Sequence, residues 1–295
     1  MHAMILGAGY SGKVIATNLQ AHVSQISGTT RTADKADQLA KIGIKPFIFN
    51  GEELSDALRD TFSSVTHLIQ SIGPNDAGDP LLSLIGNTPM QSLMPKLEWV
   101  SYLSTVGVYG DHGGEWVDED TACRPVSVRS VQRVAAEDAW MAQAKTSCLP
   151  LSILRLSGIY GPGRNAFRNL ENGTARRLVK KDQVFNRIRV EDIGAACALL
   201  FARKADGIFN VTDSEPCPPQ DVVTYAAQLM GLEPPPEQDF ETAELSAMAR
   251  SFYGENKRVS NRRIQQMGFE FRYPDYRMSL LQMWDDKVWQ GSADG

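Results

Sequence analysis

The sequence contains little cysteine and little histidine, four of each in 295 residues. The cysteines are widely spaced and include no C-x-x-C pair; they are Cys123, Cys148, Cys197 and Cys217. The histidines have no i, i+4 spacing of the kind that metal-binding helices use. We therefore predict no metal site and no disulfide framework. Reduced, mostly buried thiols favour a cytoplasmic protein.

Long hydrophobic runs and an excess of basic residues are also absent. No stretch approaches the roughly 20 apolar residues that span a bilayer. The formal net charge is −5, which argues against a general affinity for nucleic acid or for an anionic membrane surface. Hydrophobic residues make up 42% of the chain, enough to build a buried core. The expected partner is a small molecule, and the last residues, 291–295, are expected to form a frayed tail.

The first 157 residues alternate between short apolar runs and amphipathic segments. Strands are predicted over 3–6, 24–30, 44–49, 65–72, 98–103 and 149–156, and helices over 33–42, 54–62, 81–94 and 127–146. This alternation predicts an α/β fold with a doubly wound parallel sheet, the Rossmann arrangement. Residues 158–290 should form mainly a smaller substrate lobe, interleaved with the last strands of the sheet. Its predicted helices are 166–181, 191–204 and 220–230, and its predicted strands are 184–190 and 207–211.

A glycine-rich turn follows the first strand and opens a helix. Gly7 permits the sharp turn, Gly9 lets the backbone approach a pyrophosphate, and Gly12 lets the helix pack closely on the strand. Tyr10 and Ser11 complete the turn, whose N–H groups lie at the positive end of the helix. This pattern predicts a dinucleotide site; a turn that has lost its ligand is the alternative.

The end of the second strand carries Thr30 and Arg31, where NAD sites usually place a carboxylate. Hydroxyl and guanidinium groups suit a 2′-phosphate, so NADP is favoured over NAD. The alternative is that Arg31 is merely solvated. Asn50, Ser71 and Ile72 end the next two strands and are candidates for adenine and ribose contacts.

Four later stretches resemble the extended short-chain dehydrogenases/reductases, the NAD(P)-dependent epimerase/dehydratase family. They are residues 101–110, 155–163, 187–193 and 209–211, and the resemblance covers about residues 3–270. It implies a nicotinamide cofactor and substrates such as nucleotide sugars or related alcohols and carbonyls. It also implies that Thr105 hydrogen-bonds the substrate oxygen, with Ser104 beside it at the cofactor.

The sequence departs from this family at the Tyr-x-x-x-Lys pair that assists hydride transfer. Alignment on Thr105 and on Ala135-Ala136-Glu137 places the pair at Arg129 and Arg133. Arg133 could replace the ribose contact of the lysine, although the two side chains are not equivalent. Arg129 cannot replace the phenol, because a guanidinium stays protonated. It could instead stabilise negative charge. The Tyr-x-x-x-Lys string from Tyr253 to Lys257 is interpreted as chance or as local structure.

Candidate substrate residues lie on both sides of the sixth strand. Tyr109 and Tyr160 occupy positions at which the family lines its substrate pocket, although a tyrosine at a strand end is more often a packing or hydrogen-bonding residue. Residues 164–189 are rich in arginine and lysine, with Arg164 and Arg189 as candidates for a phosphorylated or acidic ligand. A solvated helix face is the alternative interpretation of that stretch.

Two functions remain open at this point. One is an NADP(H)-binding oxidoreductase or epimerase-like enzyme with an altered acid/base group. The other is a non-catalytic NADP(H)-binding sensor or scaffold. The resemblance also implies a homodimer formed by helices around 81–94 and 127–146.

Overall fold

The computed structural model describes residues 1–291 and divides the chain into two compact units. The first unit contains residues 1–108, 128–155 and 193–209; the second contains 109–127, 156–192 and the chain from 210 onward. The chain crosses between units at residue 155, close to the predicted break after 157. Residues 109–127, however, belong to the second unit although they precede this crossing, and residues 193–209 belong to the first unit although they follow it. Residues 292–295 of the predicted tail lie outside the described residues.

The first unit is built around a seven-stranded sheet. Its strands are β1 (His2–Leu6), β2 (Gln25–Thr30), β3 (Lys45–Ile48), β4 (His67–Gln70), β5 (Trp99–Thr105), β7 (Leu151–Leu156) and β11 (Gly207–Val211). Across the sheet the strand order is β11-β7-β5-β4-β1-β2-β3. The neighbours from β3 to β5 pair in parallel, with Ile5 opposite Gly28 and Ile69. The predicted doubly wound α/β fold is confirmed.

Helices connect these strands, as parallel pairing requires. They are α1 (Tyr10–Leu19), α2 (Ala33–Lys41), α3 (Asp56–Phe62), α4 (Pro80–Ile85), α5 (Val128–Thr146) and α7 (Val190–Arg203), with 3-10 turns at Met90–Ser92 and Val106–Tyr109. The predicted helix over 81–94 is wrong beyond residue 85. Gly86 adopts φ +56°, and Pro89 cannot continue a helix, so the segment breaks there.

The second unit combines short strand pairs with helices. Its strands are β6 (Trp116–Val117), β8 (Gly158–Tyr160), β9 (Arg177–Val179), β10 (Arg187–Arg189), β12 (Glu237–Asp239) and β13 (Arg258–Val259), paired as β10–β8, β12–β9 and β13–β6. Its helices are α6 (Ala166–Glu171), α8 (Pro219–Leu229), α9 (Ala247–Phe252), α10 (Arg262–Gln266) and α11 (Tyr276–Asp285). The helix predicted over 166–181 is wrong after 171, because Gly173 (φ +67°) ends it and residues 177–179 pair as a strand.

Candidate functional site

The glycine turn lies where the strand order of the sheet reverses, between β1 and β4. Open α/β sheets bind ligands outside the carboxyl ends of their strands at such a reversal. Gly7 has φ +84°, and a Cβ there would lie 2.9 Å from Ile72 Cγ1. Gly12 lies against β1, since a Cβ there would lie 3.0 Å from the Gly7 carbonyl oxygen. Gly7 and Gly12 thus allow the turn to be tight.

Gly9 differs from these two glycines in having open space beside it. A methyl group on Gly9 would meet no atom within 4 Å. Gly9 is also the N-cap of α1, and it supplies no side-chain acceptor for the first helical turn, which contains no acidic residue. The positive end of the helix dipole therefore has no side-chain cap and lies beside the open space at Gly9. Tyr10 and Ser11, both half-buried, begin this helix.

Arg31 is exposed, and no ion pair or hydrogen bond joins it to another residue of the described chain. Thr30, which precedes it at the end of β2, is half-buried. Asp34, in the first turn of α2, is the nearest acid that follows. The end of β2 therefore presents a hydroxyl group and an unpaired guanidinium.

The residues predicted for adenine and ribose follow β3 and β4. Asn50 is exposed, and its side-chain amide donates to Glu52 at 2.8 Å. Ser71 is half-buried, and its backbone N–H donates to the Leu6 carbonyl, which joins the exit of β4 to β1. Ile72 packs beside the glycine turn. Ser71 and Ile72 thus lie at the strand-order reversal, whereas Asn50 lies on the edge strand.

Arg133 lies between the exits of β4 and β5. Its Nη1 donates to the Leu103 carbonyl at 2.5 Å and to the Tyr102 hydroxyl at 3.1 Å. Its Nη2 lies 3.2 Å from the position that a Cβ on Gly73 would occupy. Burial raises the pKa of Tyr102 to about 12, so this phenol keeps its proton and is no substitute for a catalytic tyrosine.

Thr105 ends β5 and is half-buried, with its Oγ1 accepting the backbone N–H of Gly107 at 3.1 Å. Ser130 of α5 reaches the same place: a Cβ on Gly107 would lie 2.9 Å from Ser130 Oγ and 3.4 Å from Thr105 Oγ1. Arg129, the preceding residue, is exposed at the start of α5. Ser130 was not among the predicted site residues, although it directly follows Arg129, the residue that aligns with the tyrosine of the family.

The prediction for Ser104 needs correction. Its hydroxyl is buried and donates to Glu137 Oε1 at 2.5 Å, and Arg155 pairs with the same carboxylate at 2.7 Å. Both ionic side chains are almost fully buried. Ser104 therefore belongs to a polar network that ties α5 to β5 and β7, and its hydroxyl hydrogen is committed to Glu137. In the sequence, the sign of this network was the acidic residue Glu137, which lies on α5 four residues after Arg133.

Two of the predicted substrate residues are structural in the second unit. Arg189 is 1% exposed, and its guanidinium binds Glu191, Ser279 and Gln282. Tyr109 is fully buried and donates to Asn210 Oδ1 at 2.7 Å. Both side chains are buried and bonded within the second unit, which favours the packing alternative for both.

Tyr160 and Arg164 differ in exposure. Burial of its hydroxyl raises the pKa of Tyr160, which makes it a poor proton donor and acceptor near neutral pH. Arg164 is exposed in a tight turn, where its backbone N–H donates to Gly161 at 3.0 Å. Arg164 therefore stays a candidate ligand-binding residue.

The basic stretch over 164–189 is largely paired within its own unit. Arg168 and Arg177 form ion pairs with Glu171 and Glu237, and Arg176 donates to a backbone carbonyl. Most of this charge therefore has a local structural partner. Among residues 1–291 no cluster of three or more His, Cys, Asp or Glu side chains could hold a metal, and no helix is long and apolar enough to cross a membrane.

Comparison with known proteins agrees with this geometry. The model of the NAD dependent epimerase/dehydratase family matches residues 3–211. The chain belongs to this family. Among curated proteins, Protein YeeZ of Escherichia coli (strain K12) is 31% identical over 283 residues, covering 92% of this chain and 96% of its own length.

Solved structures show the same fold. A conserved protein of unknown function from Silicibacter pomeroyi DSS is 43% identical, with a TM-score of 0.88, covering 97% of this chain and 99% of that one. The dTDP-glucose 4,6-dehydratase of Bacillus anthracis str. Ames, solved in complex with NAD, is 18% identical with a TM-score of 0.77, covering 97% of both chains. The second likeness shows that the extended dehydratase fold is kept across most of the chain.

Proposed function

We propose that this protein is an NADP(H)-binding oxidoreductase of the epimerase/dehydratase type. The observation that carries the proposal is the open space beside Gly9, which a Cβ would fill, at the uncapped positive end of α1. An anionic diphosphate fits the positive end of a helix, where backbone N–H groups point toward the ligand. The NAD complex of the Bacillus anthracis dehydratase supports a nicotinamide dinucleotide as the ligand.

The preference for NADP rests on Arg31. This guanidinium is exposed and unpaired at the end of β2, and no carboxylate stands there to accept a ribose hydroxyl. A 2′-phosphate would supply the missing anion for a charge-assisted hydrogen bond. Thr30 would add a hydroxyl group.

The nicotinamide half fits the carboxyl ends of β4 and β5. Arg133 would hold the ribose, since its Nη2 faces Gly73 while its Nη1 stays bonded to Leu103. A bound nicotinamide ring supplies hydride transfer to or from a carbon that bears oxygen. Thr105 would orient that oxygen, and the Ser130 hydroxyl beside it would share this task.

Arg129 gives the site a fixed positive charge where family members carry a phenol. A guanidinium stabilises negative charge that develops on a substrate oxygen, but it neither accepts nor releases the proton. The proton would therefore exchange with water. Suitable substrates are small polar alcohols or carbonyls, nucleotide sugars among them, and a phosphate or carboxylate group would add a contact to Arg129.

Calorimetric titration with NADPH and NADH tests cofactor binding and preference. We expect NADPH to bind the wild type more tightly, and Arg31→Asp to reverse the order. Lys41→Asp makes the same charge change at an exposed position at the far end of α2 and should leave the order unchanged. Equal ratios in wild type and Arg31→Asp would refute the NADP assignment.

Turnover is tested with a panel of carbonyl compounds and nucleotide sugars, monitored by the absorbance of the reduced nicotinamide. Thr105→Val should abolish turnover but leave NADPH affinity unchanged, and Thr105→Ser should restore part of the turnover. A non-catalytic sensor is the second candidate, favoured by arginine at 129 and 133. It predicts selective NADPH binding without turnover of any member of the panel.

We also propose a homodimer formed through α5. Val128 and Val131 are 73% and 51% exposed on this helix, and Leu84 of α4 is 39% exposed. Large apolar side chains on one exposed face are typical of an interface. A second copy of the same face would cover them.

A further inference from the structure

The second unit contains a polar cavity that shares none of the residues assigned above. Its volume is about 550 Å³, within the range of ligand-binding pockets. It is framed by the β6–β13 pair, in which Arg258 lies opposite Trp116, and by the start of α10. Its lining includes Trp116, Asp118, Asp213, Ser214, Asn261 and Gln265.

Asp213 is the feature that points to a ligand. The residue is 1% exposed, and its Oδ1 accepts only a long hydrogen bond of 3.3 Å from the Glu215 backbone. Its buried Oδ2 has no hydrogen-bond partner in the described chain. A buried polar atom left without a partner costs about 1–3 kcal/mol. An occupant of the cavity would remove this cost.

The chemical state of Asp213 narrows the occupant. Burial raises the pKa of its carboxyl well above the ordinary value, and the nearby Arg187 charge offsets this only in part. Burial therefore disfavours the charged carboxylate that a metal cation would need. A ligand hydroxyl group can bond to the carboxyl group as a donor or as an acceptor.

The rest of the lining is arranged in advance for hydroxyl groups. Asn261 is held by bonds from its amide to the Thr212 carbonyl and to Ser214 Oγ, at 3.0 and 3.1 Å. The Asp118 carboxylate is held by Thr121 at 3.0 Å. These fixed acceptors and donors offer several hydrogen bonds at little cost in side-chain entropy.

Trp116 adds an apolar surface to this polar lining. It is 60% exposed, which is unusual for so large a side chain. The C–H face of a sugar ring packs on an indole ring, while its hydroxyl groups bond to carboxyl and amide side chains. We propose that this cavity binds a neutral polyhydroxylated ligand of monosaccharide to disaccharide size.

The chain contains five tryptophans, so 5-fluorotryptophan labelling gives five fluorine resonances. Trp116→Phe assigns the resonance of interest. The labelled protein, free of dinucleotide, is titrated with D-glucose, D-galactose, maltose and myo-inositol. The proposal expects at least one of them to shift the Trp116 resonance saturably while the other four stay in place.

Asp213→Ala and Gln265→Ala should each weaken this binding by at least about tenfold. The four other resonances report whether Asp213→Ala is folded, and the exposed Gln265 provides a variant with little risk to folding. Phe252→Ala is the matched control, because Phe252 is also 60% exposed but lies outside the cavity lining. It should bind the sugar as the wild type does.

Glucuronate and glucose 6-phosphate form the second arm, because Arg262 also borders the cavity. The proposal is overturned if no neutral compound moves the Trp116 resonance, if only the charged compounds move it, or if Gln265→Ala binds normally. NADPH affinity, measured separately on the same variants, should be unchanged. If the wild type binds NADPH but no sugar, the proposed cavity ligand is wrong and the proposed function stands. If it binds sugar but not NADPH, the proposed function is wrong and the cavity ligand stands.

Discussion

The substitution Gly9→Ala separates folding from cofactor binding. Gly9 has φ −84° and ψ −148°, and a methyl group there meets no protein atom within 4 Å. Replacing glycine by alanine stabilises a protein by about 0.4–1 kcal/mol, through the unfolded chain, where alanine can adopt the native φ and ψ. Because ψ −148° lies outside the regions that alanine favours, this gain is offset, and we expect the cofactor-free variant to unfold within about 1 kcal/mol of the wild type.

The cost should appear in dinucleotide affinity. The methyl group occupies the space through which a diphosphate would approach the backbone of the turn. Losing one hydrogen bond to a charged group costs about 1.5–3 kcal/mol. A loss of about 2 kcal/mol corresponds to a rise of about thirtyfold in the NADPH dissociation constant.

Urea unfolding without cofactor and calorimetric titration with NADPH measure the two quantities on one preparation. Gly12→Ala is the contrasting variant. Its Cβ would lie 3.0 Å from the Gly7 carbonyl oxygen and 3.2 Å from Ile5, so it should lower the free energy of unfolding itself. If Gly9→Ala binds NADPH as tightly as the wild type, the diphosphate does not lie beside Gly9 and the proposed cofactor site is wrong.

Three further predictions concern stability and assembly. Glu137→Gln leaves the buried Arg155 without its counter-charge and should lower the free energy of urea unfolding by about 3–5 kcal/mol. The double variant with methionine at both 137 and 155 should recover most of this loss. A loss below about 1 kcal/mol for Glu137→Gln would contradict the prediction. Burial lowers the pKa of His67 from 6.5 to about 4; Glu98 raises it by a smaller amount, and Lys204 lowers it further. The stability contribution of the neutral imidazole is therefore present above pH 6.5 and is lost as the pH falls toward 4, by up to about 3 kcal/mol. His67→Phe should flatten this part of the pH dependence of urea unfolding, and an unchanged slope would refute the assignment. Val131→Asp should shift the sedimentation profile from dimer to monomer, while Lys41→Asp should not; a wild type that sediments as a monomer would contradict the proposed interface.

The sequence predicted the order of elements in the first unit because its signals there are local. Apolar runs of strand length alternate with amphipathic helices from β1 to β5, and the glycine turn stands between a strand and a helix. Two predicted helices were wrong in their second halves, where the sequence contains residues that end helices. The segment 81–94 contains Gly86 and Pro89, and residues 166–181 contain Gly173, all of which end helices.

The site was predictable only in part. The positions of Gly9, Arg31 and Arg133 follow from their places at strand and helix ends. The environment of a side chain does not follow in this way: Ser104 bonds to Glu137, and Arg189 bonds to Ser279 and Gln282. These partners are distant in sequence, so the residues next to Ser104 or Arg189 do not reveal them.

The sequence by itself determined the doubly wound sheet, the glycine turn and the loss of the Tyr-x-x-x-Lys pair, because each is a matter of residue type at a fixed spacing. Tertiary structure decided which segments share a unit, through contacts between distant residues: Trp116 lies opposite Arg258, and Trp99 Nε1 donates to the Ala205 carbonyl. It also brought Ser130 to Thr105. It left Asp213 Oδ2 without a hydrogen-bond partner in the described chain, on a residue that lines the same cavity as Trp116. The physical reason is that open space, burial and hydrogen-bond partners are properties of the packed chain and are not encoded in any short stretch of it.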